Sequence, residues 1–70
     1  MRTERLAAYI KDCRQTNGLS QQQVATRVGV SLRTVERWEA GTASPTLVVA
    51  IQLAKALRVP LAKLAGRLAK

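Results

Sequence analysis

The chain has no histidine, no phenylalanine, one cysteine and only four acidic residues among 70. Each shortage removes a class of function. Histidine is the commonest general base and metal ligand, so its absence leaves little to build a catalytic or zinc centre from. The lone Cys13 cannot close an intramolecular disulfide and has no companion ligands. No nucleophile–base pair or metal cluster can be assembled, so neither an enzyme nor a cofactor is expected. The disulfide-stapled secreted class is excluded, and a reducing, cytoplasmic compartment fits. No apolar run approaches the roughly 18 residues that cross a bilayer. The N-terminus, Met1-Arg2-Thr3-Glu4-Arg5, lacks the apolar stretch of a signal peptide. A chain of 70 residues suits one domain, spanning 1–70. A domain of that size hides only about 60% of its unfolded surface, which argues against a deep substrate pocket.

What is present is positive charge and helix-forming residues. Twelve Lys and Arg give a net charge of +8, which points toward a polyanionic partner. The charge is uneven: residues 1–41 carry net +3 and residues 42–70 net +5. Lys55, Arg58, Lys63, Arg67 and Lys70 either add attraction or only keep an apolar tail soluble. Ala and Leu dominate the apolar fraction, which favours helix over strand.

Five helices can be traced, and the fold is predicted to be all-α and compact. The first runs from about residue 3 to Thr16, with Leu6, Ile10 and Cys13 at helical spacing, and Asn17-Gly18 ends it. Ser20 caps the second, and Gln23 three residues on completes a capping box; Val24, Ala25 and Val28 face inward and Gly29 stops it. Ser31 caps the third, which holds Val35 and Trp38 on its inner face and closes at Gly41. Ser44-Pro45 is expected to open the fourth, since proline suits a first turn. It continues to Leu57 with Leu47, Ala50, Leu53, Ala54 and Leu57 as its core positions. Pro60 starts a fifth, from Leu61 to about Leu68.

Chemistry concentrates in residues 20–40. Two short helices meet across Gly29-Val30-Ser31, and a sharp three- or four-residue turn containing Gly is what a helix-turn-helix needs. Ala25 is small where the helices come closest. Val24, Val28, Val30, Val35 and Trp38 are apolar where the unit must pack. In such a unit the second helix enters the major groove with its N-terminal residues facing base edges. Those residues are Ser31, Leu32, Arg33, Glu36 and Arg37. Arg33 and Arg37, four apart, share a face, and arginine grips guanine O6 and N7 bidentately; the plain alternative is a solvated face that Glu36 between them neutralises. Leu32 could meet a thymine methyl. Ser31 can cap, touch phosphate or touch a base. Gln21 opens the second helix, where free N–H groups and the helix dipole favour a phosphate. Arg27 is either a backbone contact or a plain surface charge. Trp38 could stack on a base, but its spacing from Val35 places it inside. Cys13 fits a small core hydrophobe better than a redox sensor, and Tyr9 has no assignable task.

Gly18-Leu19-Ser20-Gln21, Val24-Ala25, Val28-Gly29-Val30-Ser31, Thr34-Val35, Trp38-Glu39 and Gly41 resemble the lambda-repressor/Cro-like (XRE-type) helix-turn-helix family. Pro45, Leu47, Leu53-Ala54, Ala56-Leu57, Val59 and Leu64 extend the likeness from about Leu6 to Leu64. The resemblance implies a five-helix domain that binds operator DNA, usually as a dimer. It also implies that Gln21 contacts the DNA backbone, that Thr42 meets phosphate, and that Arg14 pairs with Glu39 beside the backbone. Thr34 and Arg27 are placed with that backbone-contacting group.

Four positions depart from the family pattern. Val48, Val49 and Ile51 are apolar where relatives usually carry polar residues, and the core does not need them. With Gln52 and Lys55 they are expected to form a C₂ dimer surface on helices four and five, about residues 45–68. Arg58 stands where many relatives have glycine, so the helix end is expected to differ locally.

These features favour a sequence-specific transcription regulator: a repressor or autoregulator of phage or mobile-element type, or a restriction–modification controller. Its site would be palindromic, with half-sites about 34 Å apart. No sensor domain follows the DNA-binding unit, so dimerisation or a regulatory partner protein is expected to set activity. It would work in the cytoplasm at the nucleoid and not at a membrane. An antitoxin-type interaction module is the alternative, weakened by the lack of a disordered toxin-binding tail. A membrane-active peptide from Leu61 to Leu68 is disfavoured by Pro60, Gly66 and the upstream motif.

Overall fold

The computed structural model describes the backbone of residues 2–68 and the side-chain surroundings of residues 5–64 and 66. Arg67 and Lys70, counted above among the solubilising cations, lie outside those described side chains. Five α-helices follow in order: α1 Arg2–Thr16, α2 Gln21–Val28, α3 Leu32–Ala40, α4 Leu47–Leu57 and α5 Leu61–Leu68. No strand occurs among the described residues. α1 packs on α3 and α5, α2 on α3 and α4, and α4 on α5.

Local chemistry sets most of the boundaries. The Ser20 hydroxyl accepts from the Gln23 N–H at 3.0 Å, and the Ser20 N–H donates to Gln23 Oε1 at 2.7 Å. This reciprocal box satisfies two of the free donors at the start of α2. Gly29 ends α2 at φ 85°, and its N–H donates to the Ala25 carbonyl at 2.8 Å. A Cβ there would touch nothing, so the positive φ, not crowding, calls for glycine. Ser31 then caps α3 by accepting from the Thr34 N–H at 3.2 Å.

α4 begins later than the Ser44-Pro45 signal predicts. Thr46 is its N-cap and accepts from the Val49 N–H at 3.3 Å. Pro45 precedes the cap and is buried. Pro45 therefore does not fill the first turn after Ser44: it is buried ahead of the helix, and the Thr46 hydroxyl takes the cap by accepting an N–H three residues on. At the other end Arg58 adopts φ 58°, and its N–H donates to the Lys55 carbonyl at 3.3 Å. The left-handed cap thus keeps the geometry that glycine would give, despite the arginine.

The core gathers Leu6 and Ile10 of α1, Val24 and Ala25 of α2, and Val35 and Trp38 of α3. Ala50, Leu53, Ala54 and Leu57 of α4 and Leu64 of α5 complete it. Trp38 is 3% exposed and therefore packs rather than stacks on a base. Cys13 and Tyr9 are half-buried against this cluster. Two α4 positions exchange roles relative to the sequence prediction. Leu47, expected in the core, is 61% exposed, while Val49, expected to be left over, packs against the core. The reason is helical phase: the buried arc runs over Val49, Leu53, Ala56, Leu57, Ala50 and Ala54. It leans toward the Val49 edge and leaves Leu47 on the opposite edge of the first turn.

Arg58 gives a stability prediction. A non-glycine residue in the left-handed region costs roughly 1–2 kcal/mol, partly offset by glycine's greater unfolded entropy. Arg58→Gly should therefore stabilise the domain by about 0.5–1 kcal/mol in urea denaturation. A loss of stability would mean that the arginine side chain compensates its backbone.

Candidate nucleic-acid interface

The site starts from how α2 and α3 are held. Arg14, near the end of α1, donates from Nε to Glu39 Oε2 at 2.7 Å and from a terminal nitrogen to Oε1 at 3.0 Å. Its other terminal nitrogen donates to the Leu19 carbonyl at 2.9 Å. The Gln21 side-chain amide donates to Glu39 Oε1 at 3.1 Å. One carboxylate on α3 thus receives three N–H donors from α1 and from the first residue of α2. The Arg14 and Glu39 side chains are only 13% and 5% exposed. The hydrogen bond from Arg14 to Glu39 raises the pKa of the guanidinium, although burial works against it. Among the described residues, no buried side-chain polar atom lacks a partner. The predicted Arg14–Glu39 pair is therefore present, and it also holds Gln21.

α3 divides into two faces. Val35 and Trp38 are buried; Leu32, Arg33, Glu36, Arg37 and Ala40 are exposed. Arg33, Glu36, Arg37, Ala40 and Thr42 line one open hollow. Thr42 is brought there by the turn after Gly41, where its N–H and its hydroxyl both donate to the Arg37 carbonyl at 3.0 and 3.3 Å. The Ser31 hydroxyl is engaged locally, lying 2.9 Å from the Thr34 hydroxyl and capping the Thr34 N–H. Thr34 is half-buried. Arg27 is exposed in the last turn of α2 and lies outside the hollow. Val48, Ile51, Gln52 and Lys55 are exposed on α4, a separate surface.

Sequence reasoning missed two members of this arrangement. Ala40 lines the hollow, and its spacing of three and four from Arg37 and Glu36 could have placed it there. The Leu19 carbonyl that accepts from Arg14 carries no side-chain signal at all. Chemically, the surface offers forked donors, a carboxylate and small apolar groups on one convex helix. Among the described residues there is no cluster of His, Cys, Asp and Glu that could hold a metal. No helix among them is long and apolar enough to cross a membrane. Because the Arg14–Glu39 pair is largely shielded from water, removing one partner strands a charge. Glu39→Ala should cost about 3 kcal/mol and lower the melting temperature by roughly 15 °C. An unchanged melting curve would show that the pair contributes nothing to the fold.

Residues 10–64 match the helix-turn-helix family HTH_3. The chain is 42% identical over 52 residues to an uncharacterized HTH-type transcriptional regulator of Methanothermobacter thermautotrophicus, covering 74% of this chain and 75% of that one. It is also 42% identical over 58 residues to the cryptic phage CTXphi transcriptional repressor RstR of Vibrio cholerae. That match covers 83% of this chain and 52% of RstR, so the chain spans about half the repressor's length. Among solved structures, the restriction-modification controller protein C.AhdI from Aeromonas hydrophila superposes with a TM-score of 0.83 at 27% identity. That superposition covers 89% of this chain and 90% of C.AhdI. With both its fold and its sequence in agreement, the chain belongs to the HTH_3 helix-turn-helix family of DNA-binding transcriptional regulators.

Proposed function

We propose that this protein is a sequence-specific repressor or autoregulator that binds a palindromic operator as a C₂ dimer, with α3 in the major groove. The observation that carries this is the outer face of α3, where Arg33 and Arg37 stand exposed beside a fully packed inner face. Arg33 and Arg37 read guanine edges and Leu32 meets a thymine methyl, with Ser31 and Glu36 on the same base-facing surface. Gln21, Thr34, Thr42 and Arg27 approach phosphates around them. Arg14 acts through Glu39, holding the Gln21 amide at the start of α2. The repressor role is supported by the likeness to RstR. The likeness to C.AhdI over nearly the whole of both chains supports a controller role as the second reading. A cytoplasmic, DNA-associated location follows from either role.

The dimer is supported by the apolar surface of α4. Val48 is 74% exposed, and Leu47, Ile51 and Leu61 are exposed as well. Leu47, Val48 and Ile51 lie on one side of α4 with Gln52 and Lys55. Covering this stripe with the same stripe of a second copy removes it from water and aligns two α3 helices about a two-fold axis. A regulatory partner protein would compete for the same stripe.

Binding to DNA flanking the protein's own gene, followed by fluorescence anisotropy, tests the central claim. The operator should bind at nanomolar concentration, and affinity should fall about a thousandfold between 50 and 200 mM salt. Arg33→Ala should cost roughly 1–3 kcal/mol and relax discrimination at one base pair per half-site. An equal loss on every sequence would make Arg33 a phosphate contact. Val48→Glu should weaken the dimer by about tenfold or more in sedimentation, because it buries an unpaired carboxylate. An undiminished dimer would place the interface elsewhere.

A further inference from the structure

Glu36 is exposed on the outer face of α3 and lines the same hollow as Arg33 and Arg37. It stands three residues from Arg33 and next to Arg37, yet among the described residues it has no hydrogen-bond or ion-pair partner. The fold gains nothing visible from it. It neither caps a helix nor packs in the core, and the buried carboxylate role on α3 belongs to Glu39. On a surface that meets DNA, a carboxylate repels phosphates and weakens binding to every duplex. Such a group lowers affinity unless a base gives something back.

The major-groove edge defines what can give something back. A carboxylate only accepts hydrogen bonds. Guanine offers acceptors there, and thymine offers an acceptor and a methyl. Cytosine N4 and adenine N6 are the donors. We infer that Glu36 is a discriminating residue of the α3 face: it accepts from the exocyclic amine of one base in each half-site and rejects bases that present an oxygen at that point. This rests on the major-groove reading by α3 proposed above. Cytosine is favoured over adenine as the source of the amine. Arg33 and Arg37 flank Glu36 and seek guanine, and the partner of every guanine is a cytosine. Arginine and glutamate together then read both strands of one base pair or of adjacent pairs. The arginines supply attraction, and Glu36 turns part of it into selectivity.

Selection from random duplexes with the full chain, Glu36→Ala and Arg33→Ala tests this. The substitution to Ala removes the acceptor at an exposed position that the core does not use, whereas Gln would keep an oxygen able to accept from the same amine. The wild-type protein should fix cytosine or adenine at one position per half-site, and the identity of that base decides between N4 and N6. Exchanging that base for one without the amine should weaken the wild type about tenfold and leave Glu36→Ala nearly unaffected. Glu36→Ala should also bind unrelated duplexes several-fold more tightly, with other preferences intact. If Glu36→Ala raises affinity for all duplexes by one factor and keeps every preference, Glu36 merely repels and the inference fails. If Arg33→Ala relaxes a position while Glu36→Ala relaxes none, α3 reads DNA but Glu36 does not discriminate. If the wild type itself shows no base preference, the reading of α3 and this inference fall together.

Discussion

The structure depends on one partly buried ionic contact, between Arg14 of α1 and Glu39 of α3, with Gln21 of α2 sharing the carboxylate. The α2–α3 unit is only two short helices and a turn, too small to hold its own angle. Its inner side chains contribute to the common core, but apolar contacts carry little directional information. Charge-assisted hydrogen bonds do. The forked guanidinium fixes where the C-terminal half of α3 lies relative to α1. The same carboxylate then positions the amide at the start of α2. A second polar tie works from the other side: the Asn17 amide donates to the Cys13 and Leu57 carbonyls at 2.7 and 2.8 Å. It anchors the α1–α2 corner to the end of α4.

Between these ties the core is thin and made of many small residues. Ala25, Ala50 and Ala54 are buried alongside larger aliphatics. Small side chains allow helices to come close, and the one fully buried aromatic among the described residues, Trp38, fills the space between them. That packing determines which face of α3 turns outward. Function in this protein is therefore set by geometry of the scaffold first and by side-chain chemistry second.

Most of the fold was legible in the sequence because its boundaries are local. Ser20, Ser31, Gly29 and Gly41 act on neighbours within four residues, and the structure follows them. The start of α4 was less legible, since Ser44 ahead of Pro45 and Thr46 just after it both offer a capping hydroxyl, and only the burial of Pro45 outside the helix separates them. The roles of Leu47 and Val49 were misplaced for another reason. Only Gln52 and Lys55 mark the outer face of α4, and both lie past its first turn, so tertiary packing decides which of Leu47 and Val49 is covered. Within the site, the Arg14–Glu39 pair came from family resemblance; a separation of 25 residues has no local signature. The Gln21–Glu39 contact and the Leu19 carbonyl needed coordinates.

The Ser31–Thr34 cap has a consequence for how this protein can change. The hydroxyls at the entry of α3 are spent on the helix itself, and the inner side chains on the core. Leu32, Arg33, Glu36, Arg37 and Ala40 carry none of that structural duty. On the proposed reading of α3 they form an interchangeable cassette: a different quintet transplanted onto the same helix would give the molecule a new address on the genome without its having to be refolded around it.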